Sequence, residues 1–140
     1  MANWQTYKDD FLLFVEAGYI AVNQADEDSA LKLFRTAELL DPENILPKIG
    51  FGYLHLHKLE LKQSVQQFEK VLEKNPDNEM TKAFLGIALS MMPTQVAKGE
   101  KLLEQTLHSK DPLIKRLSDT AIDFVERFVK KSPGPAAKAK

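Results

Sequence analysis

The chain of 140 residues contains no cysteine, which removes disulfide staples, thiol catalysis and cysteine-ligated zinc, and permits a reducing compartment. Net charge is almost missing as well: 19 Lys+Arg stand against 20 Asp+Glu. That balance argues against nucleic acid as a ligand and gives no electrostatic partner. Long apolar runs are also absent. The stretch Phe11 to Val15 near the start falls far short of the roughly 20 residues that cross a bilayer and of a signal peptide's apolar region. The expectation is a soluble, unprocessed, cytoplasmic chain without membrane insertion. Neither a glycine-rich phosphate loop nor an H-E-x-x-H pair occurs. His55 and His57 lie two apart on one helix, so their side chains diverge by about 160° and cannot share an ion. Asp26, Glu27 and Asp28 read as an acidic helix start, and His108 as a polar residue near a helix C-terminus. No enzyme, no cofactor and no metal site is expected.

What the sequence does hold is internal repetition. Gly18, Gly52 and Gly86 are spaced by 34 and again by 34, and Phe34 recurs as Phe68 at the same distance. Asp41-Pro42-Glu43-Asn44 returns as Asn75-Pro76-Asp77-Asn78 and, reduced, as Asp111-Pro112. Small and bulky residues follow the same period: Ala17, Gly18, Ala30, Phe34, Ala37 and Pro42 in one unit, then Phe51, Gly52, Ser64, Phe68, Val71 and Pro76 in the next. This spacing resembles the tetratricopeptide repeat, a helix-turn-helix unit. The third unit drifts, because Pro112 falls two residues late and Pro93 cannot continue a helix. Gly99 and Leu103 then stand where Ala30 and Phe34 stood. The family's preferred tryptophan and tyrosine in the first helix are replaced by Phe14, Lys48 and Lys82 and by Ala21, His55 and Leu89.

The fold expected is all-α: a tetratricopeptide-repeat solenoid with three helix-turn-helix repeats at about 11–44, 45–78 and 79–112, plus a C-terminal capping helix at 112–131, in one domain over 1–131. Helices are expected at 5–23, 27–40, 45–58, 61–74, 79–91, 95–109 and 112–131. Every proline lies outside a helix interior; Pro47 sits in a first turn, where a missing N–H costs little. Asn44, Asn78 and Asp111 precede apolar-periodic runs as N-caps. The capping helix places Ile114, Leu117, Ala121, Phe124, Val125 and Phe128 on one stripe, as the open end of a helical stack requires. Residues 132–140 (SPGPAAKAK) are too poor in large apolar side chains to bury anything and read as a disordered, mildly basic tail.

Function is carried in this reading by the inner face of the first helix of each repeat. Positions 2, 5, 9, 12 and 13 share a sector of about 100°. They are Leu12, Val15, Tyr19, Val22 and Asn23; Leu46, Ile49, Tyr53, Leu56 and His57; Met80, Ala83, Ile87, Ser90 and Met91. None is Lys, Arg, Asp or Glu, which excludes the clamps that hold acidic peptide tails. Because the opposite sector already supplies packing, these helices are apolar on two sides, and such a face either fills with the chain's own termini or marks an interaction site. A helix satisfies its own backbone and offers i, i+3, i+4, i+7 anchors, so an amphipathic helix is the expected cargo. Leu12, Val15, Tyr19, Val22, Leu46, Ile49, Tyr53, Leu56, Met80, Ala83, Ile87 and Met91 are the expected cargo-binding residues.

Length, three units from Phe11 to Pro112, a closing helix and an apolar inner wall together resemble the small three-repeat chaperones of bacterial type III secretion systems that hold the needle-filament subunit. The resemblance implies a concave face clasping an amphipathic helix of that subunit, preventing premature polymerisation, and a small helical co-chaperone. It offers Trp4 and Tyr7, upstream of the first repeat, or another outer surface, as the co-chaperone contact; read from the residues alone, the two aromatics either pack on the second helix or form an exposed patch. Alternatives are a general tetratricopeptide adaptor, a self-associating scaffold, or a chaperone of translocator proteins.

Overall fold

The computed structural model describes residues 4–131, with side chains from Tyr7 onward; the expected tail at 132–140 and the side chain of Trp4 lie outside the described residues. A 3₁₀ helix (Trp4–Asp10) leads into α1 (Phe11–Asn23), followed by α2 (Glu27–Leu40), α3 (Leu46–His57), α4 (Leu61–Lys74), α5 (Glu79–Ser90), α6 (Val96–Leu107) and α7 (Pro112–Phe124), which runs on as a π-helical segment (Val125–Lys130). No strand occurs among the described residues. The chain divides into two compact units, Met1–Pro76 and Asp77–Lys140.

In the first unit α1 packs on α2, α3 packs on α4, and α3 touches both α1 and α2. The 34-residue period is visible in atomic detail. A Cβ added at Gly18 would collide with the Phe34 ring, and one at Gly52 with the Phe68 ring in the same way. Glycine there lets a helix approach close enough for each phenylalanine to be wholly buried, a contribution of about 1.5–3 kcal/mol per ring. Phe34 joins Ala21, Val22, Ala30 and Leu54 in one cluster, while Phe11, Val15, Ala37 and Leu40 form a second. The two hairpin turns repeat as well: Ala25 and Leu59 both take φ of 59°, a left-handed conformation that costs a non-glycine residue about 1–2 kcal/mol.

That turn geometry explains the drift in the third repeat. The position 34 residues after Leu59 is Pro93, whose ring holds φ near −65°. A proline cannot enter the left-handed region, so the α5–α6 connection is rebuilt as the longer turn 91–95, and α6 starts at Val96, one residue later than the period gives.

In the second unit α5 packs on α6, and α7 packs on both. Here Leu103 replaces the phenylalanine opposite Gly86, and Gly99 lies so close to Ser90 and the Gly86 carbonyl that a Cβ would not fit. The Ser90 hydroxyl donates to the Gly86 carbonyl at 2.7 Å. Thr106 and Ser118, both buried, join α6 to α7 through their hydroxyls at 2.6 Å. Caps begin these helices as their sequence indicates: Asn78 accepts from the Thr81 N–H at 2.9 Å and Asp111 from the Leu113 N–H at 2.9 Å. Asn44 acts one residue early, accepting from the Leu46 N–H at 3.0 Å, with Pro47 in the first turn of α3.

Candidate functional site

The twelve inner-face residues divide by burial. Val15, Val22, Ile49, Leu56 and Ala83 are buried, so no ligand reaches them without rearrangement. Tyr19, Leu46, Tyr53 and Ile87 are half-buried, and Leu12, Met80 and Met91 are exposed.

On the first unit the half-buried residues are already engaged with the chain. The Tyr19 ring meets Phe34 edge-on at 5.3 Å and lies 5.2 Å from Tyr53. Its hydroxyl reaches the Leu46 carbonyl at 3.4 Å. The Tyr53 hydroxyl donates to Asn23 Oδ1 at 2.6 Å, and its ring lies tilted against His57 at 4.6 Å. Burial, with Tyr53 close by, pushes the Tyr19 phenol well above its ordinary value near 10. Burial raises Tyr53 too, against the lowering effect of Asn23. Both phenols are therefore neutral packing groups whose polar ends are spent inside the unit.

The second unit is built differently. Ile87 and Ser90 from α5, with Met91 just after it, face Leu117, Thr120, Ala121, Phe124 and Val125 across an open cleft of about 330 Å³. Only Ser90 and Thr120 bring hydroxyls, and that of Ser90 is spent on Gly86. Of the α7 stripe, Ile114 and Val125 are buried, but Phe124 is 47% and Phe128 61% exposed. The two rings pair at 5.3 Å. The expected seal by the capping helix is thus incomplete. A π segment turns through less rotation per residue than an α-helix, so Phe128 no longer follows Leu117 and Ala121 onto the packed side.

Leu117, Ala121, Phe124 and Val125 were legible as a packing stripe but not as cleft walls. The stripe's sector of about 100° is what an ordinary core-facing helix shows, so the sequence carried no signal for the cleft. Tyr7 is exposed; nothing else about an upstream aromatic contact falls within the described side chains.

Polar clusters elsewhere are structural. His55 Nδ1 lies 2.8 Å from Glu60, and Lys58 pairs with Glu27 at 2.6 Å and Glu60 at 3.2 Å, linking the two left-handed turns. The His55 and Lys58 contacts hold the Glu60 carboxyl below its ordinary value. Exposed pairs of this kind contribute little. Asp26 accepts from the Ser29 N–H at 3.1 Å as the cap of α2. No group of acidic or histidine residues suited to a metal occurs among the described residues, and no described helix is long and apolar enough to cross a membrane. A charged groove of about 480 Å³ lies beside Lys48 and Lys70. There the Lys48 ammonium is taken up by the Pro42 carbonyl at 2.7 Å.

Compared with known proteins, the chain matches no family model, no curated protein and no solved structure.

Proposed function

We propose that this chain is a tetratricopeptide-repeat chaperone that holds an amphipathic helix of another protein, with the cleft between α5 and α7 as its principal anchor site. The observation that carries the reading is the pairing of Ile87 and Met91 with Leu117, Ala121 and Phe124 around an open, almost wholly apolar space. That space has the size for one or two large side chains. Each side chain buried there contributes about 1.5–3 kcal/mol, while association costs about 4–15 kcal/mol. The cargo must therefore make further contacts, for which Met80 and Phe128 of the same unit are exposed. Met91 and Met80 adapt to irregular shapes without a large penalty.

The narrower reading follows the resemblance: a cytoplasmic chaperone of a type III secretion system whose cargo is the needle-filament subunit, working beside a small helical co-chaperone. A filament subunit carries apolar helices made for self-association, and sequestering one lowers the free concentration that drives polymerisation. A translocator subunit would suit the same cleft. The test is co-expression with the needle subunit, followed by size-exclusion chromatography of wild-type chain and of Met91→Asp and Phe124→Asp. A one-to-one complex lost in both variants supports the proposal. A needle subunit that polymerises regardless of the chain refutes it.

A further inference from the structure

The first unit leaves open a surface that its own repetition fills one repeat later. Thirty-four residues separate Leu13, Glu16 and Ile20 on α1 from Pro47, Gly50 and Leu54 on α3. On α3 these positions form the seat for the preceding helix: Pro47 is fully buried, Leu54 is 5% exposed, and Leu54 clusters with Ala30 and Phe34 of α2. Gly50 is pressed against the Phe34 ring, leaving no room for a Cβ. On α1 no described side chain occupies the seat. Leu13 is 62% and Ile20 56% exposed, and Glu16 between them is exposed, with no hydrogen bond or ion pair among the described residues.

We propose that this α1 face docks a helix from a separate protein, one carrying large apolar residues with a lysine or arginine between them. Three observations fix that chemistry. The equivalent positions on α3 seat a helix, α2, which makes a helix the shape the α1 seat accepts. Leu13 and Ile20 are seven residues apart and stack on one side of α1 two turns from each other, so the partner needs apolar side chains at matching separation. Glu16 replaces Gly50, which rules out the close approach that Phe34 makes and puts a carboxylate at the centre of the patch, where a cation completes it. A second copy of this chain is the poorer fit. Antiparallel self-pairing about the patch centre would set Leu13 against Ile20 but bring the two Glu16 carboxylates together. The inference rests on internal repetition in the first unit and not on the α5–α7 cleft.

The test uses the full chain carrying Phe124→Asp, so that the cleft does not compete. The probes are two fluorescein-labelled model helices of about 18 residues, or five turns, with leucines on one face and either lysines or glutamates between them. Fluorescence anisotropy is expected to report binding of the lysine helix, weakened about tenfold or more by Leu13→Asp and by Ile20→Asp, as for a central anchor. Glu16→Lys is expected to reverse the preference toward the glutamate helix. Both apolar positions are exposed, so circular dichroism should stay that of the parent. Binding of both probes alike, or binding unchanged by all three variants, overturns the inference. So does a dimer of the chain alone, seen by analytical ultracentrifugation and abolished by Ile20→Asp. Loss of needle-subunit binding in Phe124→Asp bears only on the cleft.

Discussion

The two compact units put the same repeat register to different ends. In Met1–Pro76 the inner face is packed with the unit's own aromatics: Tyr19 lies on Phe34 and Tyr53, Ile49 is wholly buried, and the Tyr53 hydroxyl is given to Asn23. In Asp77–Lys140 the equivalent positions carry Ala83, Ile87, Ser90 and Met91, and the neighbouring α7 leaves a cleft against them. Apolar content alone does not make a binding face. Side-chain size does: tyrosines on adjacent helices reach each other and close the surface, whereas alanine, serine and a flexible methionine leave room for an outside residue.

Five substitutions probe that contrast. The largest effect is expected for Ile49→Asp, which places an ionised group at a fully buried position and should cost about 4 kcal/mol or more. Phe124→Asp in the second unit should cost less than about 1 kcal/mol, since its ring is half exposed. Urea denaturation compares them, and equal costs would erase the distinction between a packed and an open face. Next is Phe34→Ala, expected to cost about 3–5 kcal/mol. That ring is shared by Gly18, Gly50 and Tyr19, so the loss should appear in the same unfolding experiment as a shift in midpoint.

A smaller effect concerns alkaline pH. Burial raises the Tyr19 phenol above its ordinary value near 10, so the folded state favours the neutral form. The associated stability is complete below pH 10 and is lost as pH climbs toward the raised folded value. Tyr19→Phe should therefore lose less helicity than the parent between about pH 10 and 12 by circular dichroism; an identical alkaline limb would place the titration elsewhere. The smallest is Leu59→Gly. Relief of the left-handed backbone outweighs the added freedom of the unfolded chain, for a gain of about 0.5 kcal/mol. Thermal melting checks it, and a loss would mean that the exposed leucine packs in a way its turn does not indicate.

Much of the architecture was legible in the sequence because the signals are local. Prolines outside helix interiors, caps at Asn78 and Asp111, and the 34-residue recurrence of Gly18 and Phe34 placed α2 to α6 within two residues of those observed, whereas the helix expected from residue 5 begins as α-helix only at Phe11, after a 3₁₀ lead-in, and the one expected to run to 131 turns π-helical at Val125. Less of the candidate site was legible. Position along a helix says which way a side chain points but not what meets it, and so Val15, Val22, Ile49, Leu56 and Ala83 were grouped with Ile87 and Met91 although they are core. The exposure of Phe128 depends on a π segment, which has no periodic signature. The drift near Pro93 was readable, but the cause of the one-residue shift of α6, a turn that takes left-handed φ at Ala25 and Leu59, required the backbone.

The most direct measurement is photocrosslinking from a benzoylphenylalanine placed at position 124 of the full chain, co-expressed with the needle-filament subunit and mapped by mass spectrometry. Capture of an amphipathic helix of that subunit, absent when the same probe replaces exposed Leu39 on α2, is the result expected for a cleft that holds a client. A complex that forms with no crosslink from position 124, or equal capture from both positions, would contradict it.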